Sequence, residues 1–98
     1  MERLGESDLK RKIEELSSWT LDGDAIRRHY TFKDFADAMS FVVRLGFEAE
    51  SADHHPAINV DYKRVTLIYS THSAGGLTGK DFEGARRADE LALRMGGR

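Results

Sequence analysis

The sequence contains no cysteine. That excludes disulfides, thiolate metal sites and a cysteine nucleophile, and it suits a reducing compartment. There is one proline, Pro56, so the strongest helix breaker stands at a single place. No stretch approaches the roughly 18–20 apolar residues needed to span a bilayer. The opening Met1-Glu2-Arg3-Leu4-Gly5-Glu6 is charged and lacks the apolar core of a secretory signal. Neither sign of charge dominates. The 15 basic and 17 acidic side chains leave a net charge of −2, which is no electrostatic footprint for nucleic acid. No Gly-x-Ser-x-Gly elbow and no phosphate-cradling glycine loop occur. Gly75-Gly76 ahead of Thr78 stands at a helix start but matches no such fingerprint. These absences lead to a soluble cytoplasmic chain with a small or neutral partner, no direct nucleic-acid contact and no membrane contact.

What is present reads as one domain over residues 1–98. A chain this short buries roughly 60–70% of its unfolded surface. Its core is thin, and self-association would bury more. Leu9, Ile13 and Leu16 mark one face of a short helix that Ser7 can cap. Trp19-Thr20-Leu21 and Ala25 to Phe32 flank Asp22-Gly23-Asp24, a hairpin signal. Ile26, Tyr30 and Phe32 share a face. Arg28 interrupts it, which suggests an edge strand. Thr31 to Asp34 has capping-box spacing ahead of a long helix over about 33–51, with Phe35, Ala38, Met39, Val42, Leu45 and Ala49 at helical intervals. Phe41 and Phe47 lie off that stripe, so a second face of this helix is a candidate for burial. Pro56 requires the helix to stop before it.

Ile58, Val60 and Tyr62 alternate as a strand. Val65, Leu67 and Tyr69 form the next, with Lys63-Arg64 as the turn. Thr78 to Asp81 repeats the capping-box spacing before a last helix carrying Phe82, Ala85, Ala88, Ala92 and Met95, which Gly96-Gly97 can end. The order α-β-β-α-β-β-α predicts an α+β two-layer sandwich. A four-stranded antiparallel sheet would carry two long helices on one face and the short N-terminal helix at its side. A sheet face or edge left bare would invite a second subunit.

The candidate chemistry lies at one rim of that sheet. His54 and His55 precede the third strand and His72 follows the fourth. In a hairpin, the start of one strand lies beside the end of the other. Imidazole gives and takes protons near neutrality, so three of them at one rim point to proton transfer. Glu50 comes four residues before His54, and Asp81 sits in the first turn of the last helix. Each has an alternative structural role, as an exposed helix residue and a capping carboxylate respectively. His29 reads as a surface histidine. A metal site fits poorly. Adjacent His54-His55 point to opposite sides in extended chain, and no His-x-x-x-His or His-x-His spacing is present.

The spaced set Glu50-x3-His54-His55-Pro56, Tyr62, Ser70-Thr71-His72 and Asp81 resembles the signature of the pterin-4a-carbinolamine dehydratases. Trp19, the turn before Ala25-Ile26, the segment Phe32-Lys33-Asp34-Phe35 and Ala49-Glu50 are also similar to that family. The likeness covers about residues 16 to 95, and the family's α+β fold agrees with the element order. Resemblance implies a dehydratase that removes water from 4a-hydroxy-tetrahydropterin to give quinonoid dihydropterin in tetrahydrobiopterin recycling. The substrate would come from an aromatic amino acid hydroxylase, and no metal or cofactor would be needed. By the same resemblance His55 and His72 bracket the reacting C4a/N5 edge as acid and base, in either order, while His54 orients the ring. Glu50 and Asp81 set the histidine tautomers. Pro56, Thr71, Ser73 and Ala74 contact the pterin. Trp19 is either a wall of the pocket or a core residue.

A homodimer or homotetramer is expected. Ala57-Ile58-Asn59-Val60-Asp61 is less aromatic than in some members. Ser73-Ala74-Gly75-Gly76 stands where others can carry an acidic residue and a cysteine. These departures bear on pocket selectivity. Animal members of the family also act as dimerisation cofactors for a homeodomain transcription factor through a helix surface, so a protein-binding module is the alternative function.

Overall fold

The computed structural model describes residues 2–98. In order the elements are α1 (Glu6–Glu14), β1 (Thr20–Asp22), β2 (Ala25–Thr31), α2 (Phe35–Ala52), β3 (Ala57–Asp61), β4 (Arg64–Tyr69) and α3 (Gly79–Arg94), with a 3-10 turn at His72–Ala74. The four strands form one antiparallel sheet in the order β1-β2-β4-β3. α2 and α3 cover one face, so the architecture is the two-layer α+β arrangement that the sequence predicts.

β2 lies inside the sheet, between β1 and β4, and is not an edge. The reason is a counter-charge that the strand pattern does not show. Arg28 donates to Asp89 of α3 at 2.8 Å and lies over the Tyr30 ring at 4.2 Å. A guanidinium so paired can stay half-buried in the core layer. Ile26, Tyr30 and Phe32 are buried beside it, as their alternation requires.

The helix starts follow local chemistry. α1 begins after Gly5, with no side-chain cap, so Ser7 lies inside the helix. α2 is capped by Asp34, whose carboxylate accepts from the Asp37 N–H at 2.8 Å. The Thr31–Asp34 box does not form because Thr31 is still in β2, opposite Arg64. The buried stripe of α2 is Ala38, Phe41, Leu45 and Ala49, while Phe35, Met39, Val43 and Phe47 form an exposed ridge. α3 has a complete capping box between Thr78 and Asp81. It buries Phe82, Ala85, Ala88, Leu91 and Ala92. The β3–β4 turn is Tyr62-Lys63, one residue earlier than predicted, because Asp61 pairs with Arg64. Tyr62 takes the left-handed conformation there, with φ 53°.

One buried cluster joins these layers, including Trp19, Ile26, Tyr30, Phe41, Leu45, Leu67, Tyr69, Leu77 and Phe82. Among the described residues, the opposite sheet face carries no helix. By strand alternation it presents Arg27 and His29 from β2, Thr66 and Ile68 from β4, and Ala57 and Asn59 from β3.

Candidate active site

The end of α2 delivers the first two histidines. The Asp53 N–H bonds to the Glu50 carbonyl and the His54 N–H to the Ala49 carbonyl, each at 3.1 Å. Asp53 is left-handed, with φ 52°. This is a Schellman-type ending, and an aspartate tolerates the left-handed position better than most residues. The chain thus turns sharply out of the helix at His54-His55 and enters β3 after Pro56. Ala57 pairs with Ile68 near the end of β4, so Thr71 and the His72–Ala74 turn flank the same end of the sheet.

Asp81 is the polar centre of this end. Its side chain is fully buried and accepts three hydrogen bonds. His54 Nε2 lies 2.6 Å from Oδ1, the Thr71 hydroxyl donates to Oδ2 at 2.7 Å, and the Thr78 N–H donates to Oδ2 at 2.9 Å. The Thr71 proton is committed to Asp81, so the 3.0 Å contact between the two threonine hydroxyls has Thr78 donating to Thr71. A buried carboxylate is tolerable only when its lone pairs are met in this way. The proton between His54 and Asp81 belongs on Nε2, which leaves Nδ1 as an acceptor. Tyr69 stacks on the His54 ring with centroids 5.9 Å apart and planes 17° apart. Burial, with the Asp81 charge adding to it, pushes the Tyr69 phenol up to about 12. On its outer side His54 helps line a cleft of about 320 Å³ between α2 and α3, with Ser51, Lys80, Gly84 and Arg87.

Most of the other predicted residues are less enclosed. His55 Nε2 lies 2.8 Å from Glu50 Oε1, and their side chains are 55% and 81% exposed. A pair that open orients a ring but adds little stability. His72 begins the 3-10 turn and is exposed, as is Ser73, while Ala74 and Pro56 are half-buried. Trp19 lies in the core. Its indole N–H donates to the Asp89 carboxylate at 3.0 Å, and its ring is 5.9 Å from that of Tyr69. It therefore reaches His54 only through Tyr69.

Sequence reasoning missed three participants. Tyr69 reads as a core position, and nothing in strand alternation says that it stacks on a histidine. Thr78 reads only as a cap. Asp89 accepts from Trp19, Arg28 and the Tyr30 hydroxyl, the last at 2.5 Å. It falls at helical spacing with Phe82, Ala85 and Ala92. An arginine on a core-facing strand position was the signal that such a carboxylate was required.

Residues 2–91 match the profile of the family described as pterin 4 alpha carbinolamine dehydratase. The chain belongs to this family. A relative from Roseiflexus castenholzii, provisionally named pterin-4-alpha-carbinolamine dehydratase, is 43% identical over 90% of this chain and 95% of its own. Another of the same provisional name, from Thermomicrobium roseum, is 45% identical over 94% of this chain and 99% of its own. Among solved structures, a transcriptional coactivator/pterin dehydratase from Brucella melitensis superposes with a TM-score of 0.87. It is 38% identical, over 92% of this chain and 98% of that one. A pterin dehydratase-like RuBisCO assembly factor of the alpha-carboxysome shares the fold, with a TM-score of 0.66 at 24% identity over 76% of this chain and 89% of that one.

Proposed function

We propose that this chain, acting as one unit over residues 1–98 in the cytoplasm, dehydrates 4a-hydroxy-tetrahydropterin to quinonoid dihydropterin and so serves tetrahydrobiopterin recycling. The observation that carries the proposal is the His54–Asp81 pair, closed at 2.6 Å over a fully buried carboxylate, at the sheet end where His55 and His72 also stand. In the reaction the C4a–O bond breaks and a general acid protonates the departing hydroxyl, which leaves as water. The N5 lone pair forms the new C4a=N5 bond as the hydroxyl leaves, and a general base takes the N5 proton, whose bonding pair stays on N5. No covalent adduct and no metal are needed, and acid–base assistance of this kind contributes about 10²–10⁴-fold.

His55 and His72, both open to solvent, bracket the C4a/N5 edge as acid and base. His54 is held by Asp81 and by the Tyr69 ring, so it orients the pterin. Glu50 turns the His55 ring as Asp81 turns His54. Pro56, Thr71, Ser73 and Ala74 offer the backbone and small side chains that suit a flat, hydrogen-bonding heterocycle. Trp19 supports the pocket from behind Tyr69. The substrate would be supplied by an aromatic amino acid hydroxylase. Stopped-flow absorbance on enzymatically generated 4a-hydroxy-tetrahydropterin tests the proposal. Dehydration well above the buffer rate supports it, and no gain over buffer refutes it.

The same chain would work as a homo-oligomer, dimer or tetramer. The exposed ridge of α2 is nearly palindromic. Packed antiparallel against a second copy, Phe35 meets Phe47 and Met39 meets Val43. Phe47 is 71% exposed in the single chain, an exposure that such pairing would remove. Sedimentation velocity of wild type against Phe47→Glu tests this, and loss of a wild-type dimer or tetramer is the expected result. A wild-type monomer would leave the ridge open to a different protein. That is the second reading, a protein-binding module, and the exposed ridge is the observation that favours it.

A further inference from the structure

The sheet face that carries no helix holds a concavity of about 460 Å³, lined by Ser18, Thr20, Arg27, Arg28, His29, Arg64 and Thr66. No carboxylate lines it. This is a local departure from a chain of net charge −2. The cross-strand register explains the grouping. Arg27 faces Thr20 on β1, His29 faces Thr66 on β4, and Arg64 is the partner of Thr31 one step further along. Arg28 is already neutralised by Asp89 at 2.8 Å. Arg27 and Arg64 are not: among the described residues neither is within ion-pair distance of a carboxylate. Asp61, across from Arg64 in the register, forms no such pair.

Arg64 is also pre-set. Its Nη2 lies 3.1 Å from both ring nitrogens of His29, so the guanidinium rests against the imidazole. A guanidinium held in place loses less freedom on gaining a ligand. An anion seated between these two unneutralised guanidinium groups would gain a counter-charge from each. Guanidinium forks match phosphate oxygens in geometry, and three hydroxyls, Ser18, Thr20 and Thr66, add donors for the remaining oxygens. The volume falls within the roughly 300–1,000 Å³ of small-molecule sites.

We propose that the bare sheet face between Arg27 and Arg64 binds a small phosphate-bearing ligand of about mononucleotide size. This site is independent of the dehydratase proposal, since it lies on the sheet face opposite the helices and shares no lining residue with the His54 cleft. The test is an NMR titration of the ¹⁵N-labelled full chain at low ionic strength with sodium pyrophosphate, AMP and adenosine. The amides of Arg27, His29, Arg64 and Thr66 are the reporters.

Saturable shifts at those amides with pyrophosphate or AMP, and none with adenosine, are expected. Arg27→Gln/Arg64→Gln should weaken the affinity about tenfold or more while leaving the unfolding midpoint unchanged. Tighter binding of AMP assigns an organic phosphate, and tighter binding of pyrophosphate an inorganic one. Either supports the site. Shifts that do not saturate at millimolar ligand, or an unchanged affinity in the double variant, overturn it.

Discussion

Asp81→Asn removes a charge while nearly preserving shape, and the structure predicts both its cost and its orientation. The carboxylate accepts from two donors at Oδ2, the Thr71 hydroxyl and the Thr78 N–H, and from His54 at Oδ1. An asparagine can place its NH₂ at either position. Set against Thr71 and Thr78, it would leave the buried Thr78 N–H unpaired at about 1–3 kcal/mol, while the Thr71 hydroxyl could turn to the Thr78 hydroxyl 3.0 Å away. Set against His54, it keeps both of those bonds and donates to Nε2, provided the ring moves its proton to Nδ1. The second arrangement wins. The remaining loss is the weakening of charge-assisted bonds to neutral ones, about 1–3 kcal/mol in total. Asp81→Ala would lose the N3 half of the capping box and orphan the donors. Against a total stability of about 5–15 kcal/mol that variant would fold poorly and tell less.

Urea unfolding followed by circular dichroism gives the stability change, and long-range ¹H–¹⁵N correlation of the imidazoles gives the tautomer. The expected result is a lower midpoint with unchanged slope and a His54 proton moved from Nε2 to Nδ1. A variant within about 0.5 kcal/mol of wild type, with the His54 tautomer unmoved, would refute the idea that Asp81 holds this ring.

Two further outcomes follow from Tyr69. A Cβ at Gly84 would lie 2.6 Å and 2.8 Å from Tyr69 Cε1 and Cζ, so Gly84→Ala should destabilise by about 1–3 kcal/mol. The sign opposes the helix-propensity gain of about 1 kcal/mol that alanine brings. Urea titration decides between them, and a stabilised variant would contradict the packing. Because Tyr69 stacks on His54, the same variant should also slow dehydration. The second outcome is alkaline unfolding. Burial raises the Tyr69 phenol to about 12 and, with the Asp89 hydrogen bond, raises Tyr30 further still. A raised phenol pKa contributes stability that is complete below pH of about 10 and is lost as pH climbs from there through the folded value. Tyr69 alone amounts to about 2–3 kcal/mol across that window, at about 1.4 kcal/mol per pH unit. Midpoints measured from pH 9 upward should fall, and the slope should shrink in Tyr69→Phe. A flat profile would contradict the burial.

The element order was legible because periodicity and punctuation agreed. Gly23 in the first turn, Pro56 after α2 and the Thr78–Asp81 box each stand where the structure uses them. The errors arose where a distant residue decided the outcome. Arg28 looked like an edge marker because its counter-charge, Asp89, is 61 residues away. Thr31 looked like a cap because nothing local shows that β2 continues through it. Phe35 and Met39 were read as core beside Ala38, although the helix turns them outward with Val43 and Phe47. Phe41, which falls off that first stripe, is fully buried. In the site, hairpin geometry placed His54, His55 and His72 at one sheet end, but spacing set Glu50 nearest His54 and Asp81 after His72, whereas Glu50 pairs with His55 and Asp81 with His54. The depth of Asp81 and the stacking of Tyr69 on His54 are tertiary facts, invisible to spacing.

The central claim is proton transfer by histidine, and single-variant stopped-flow dehydration tests it most directly. Wild type, His55→Ala and His72→Ala would be compared on enzymatically generated 4a-hydroxy-tetrahydropterin, with each fold checked by circular dichroism. The account predicts a wild-type rate well above buffer and a loss of about 10²-fold or more in each folded variant. Folded variants that keep the wild-type rate would contradict it.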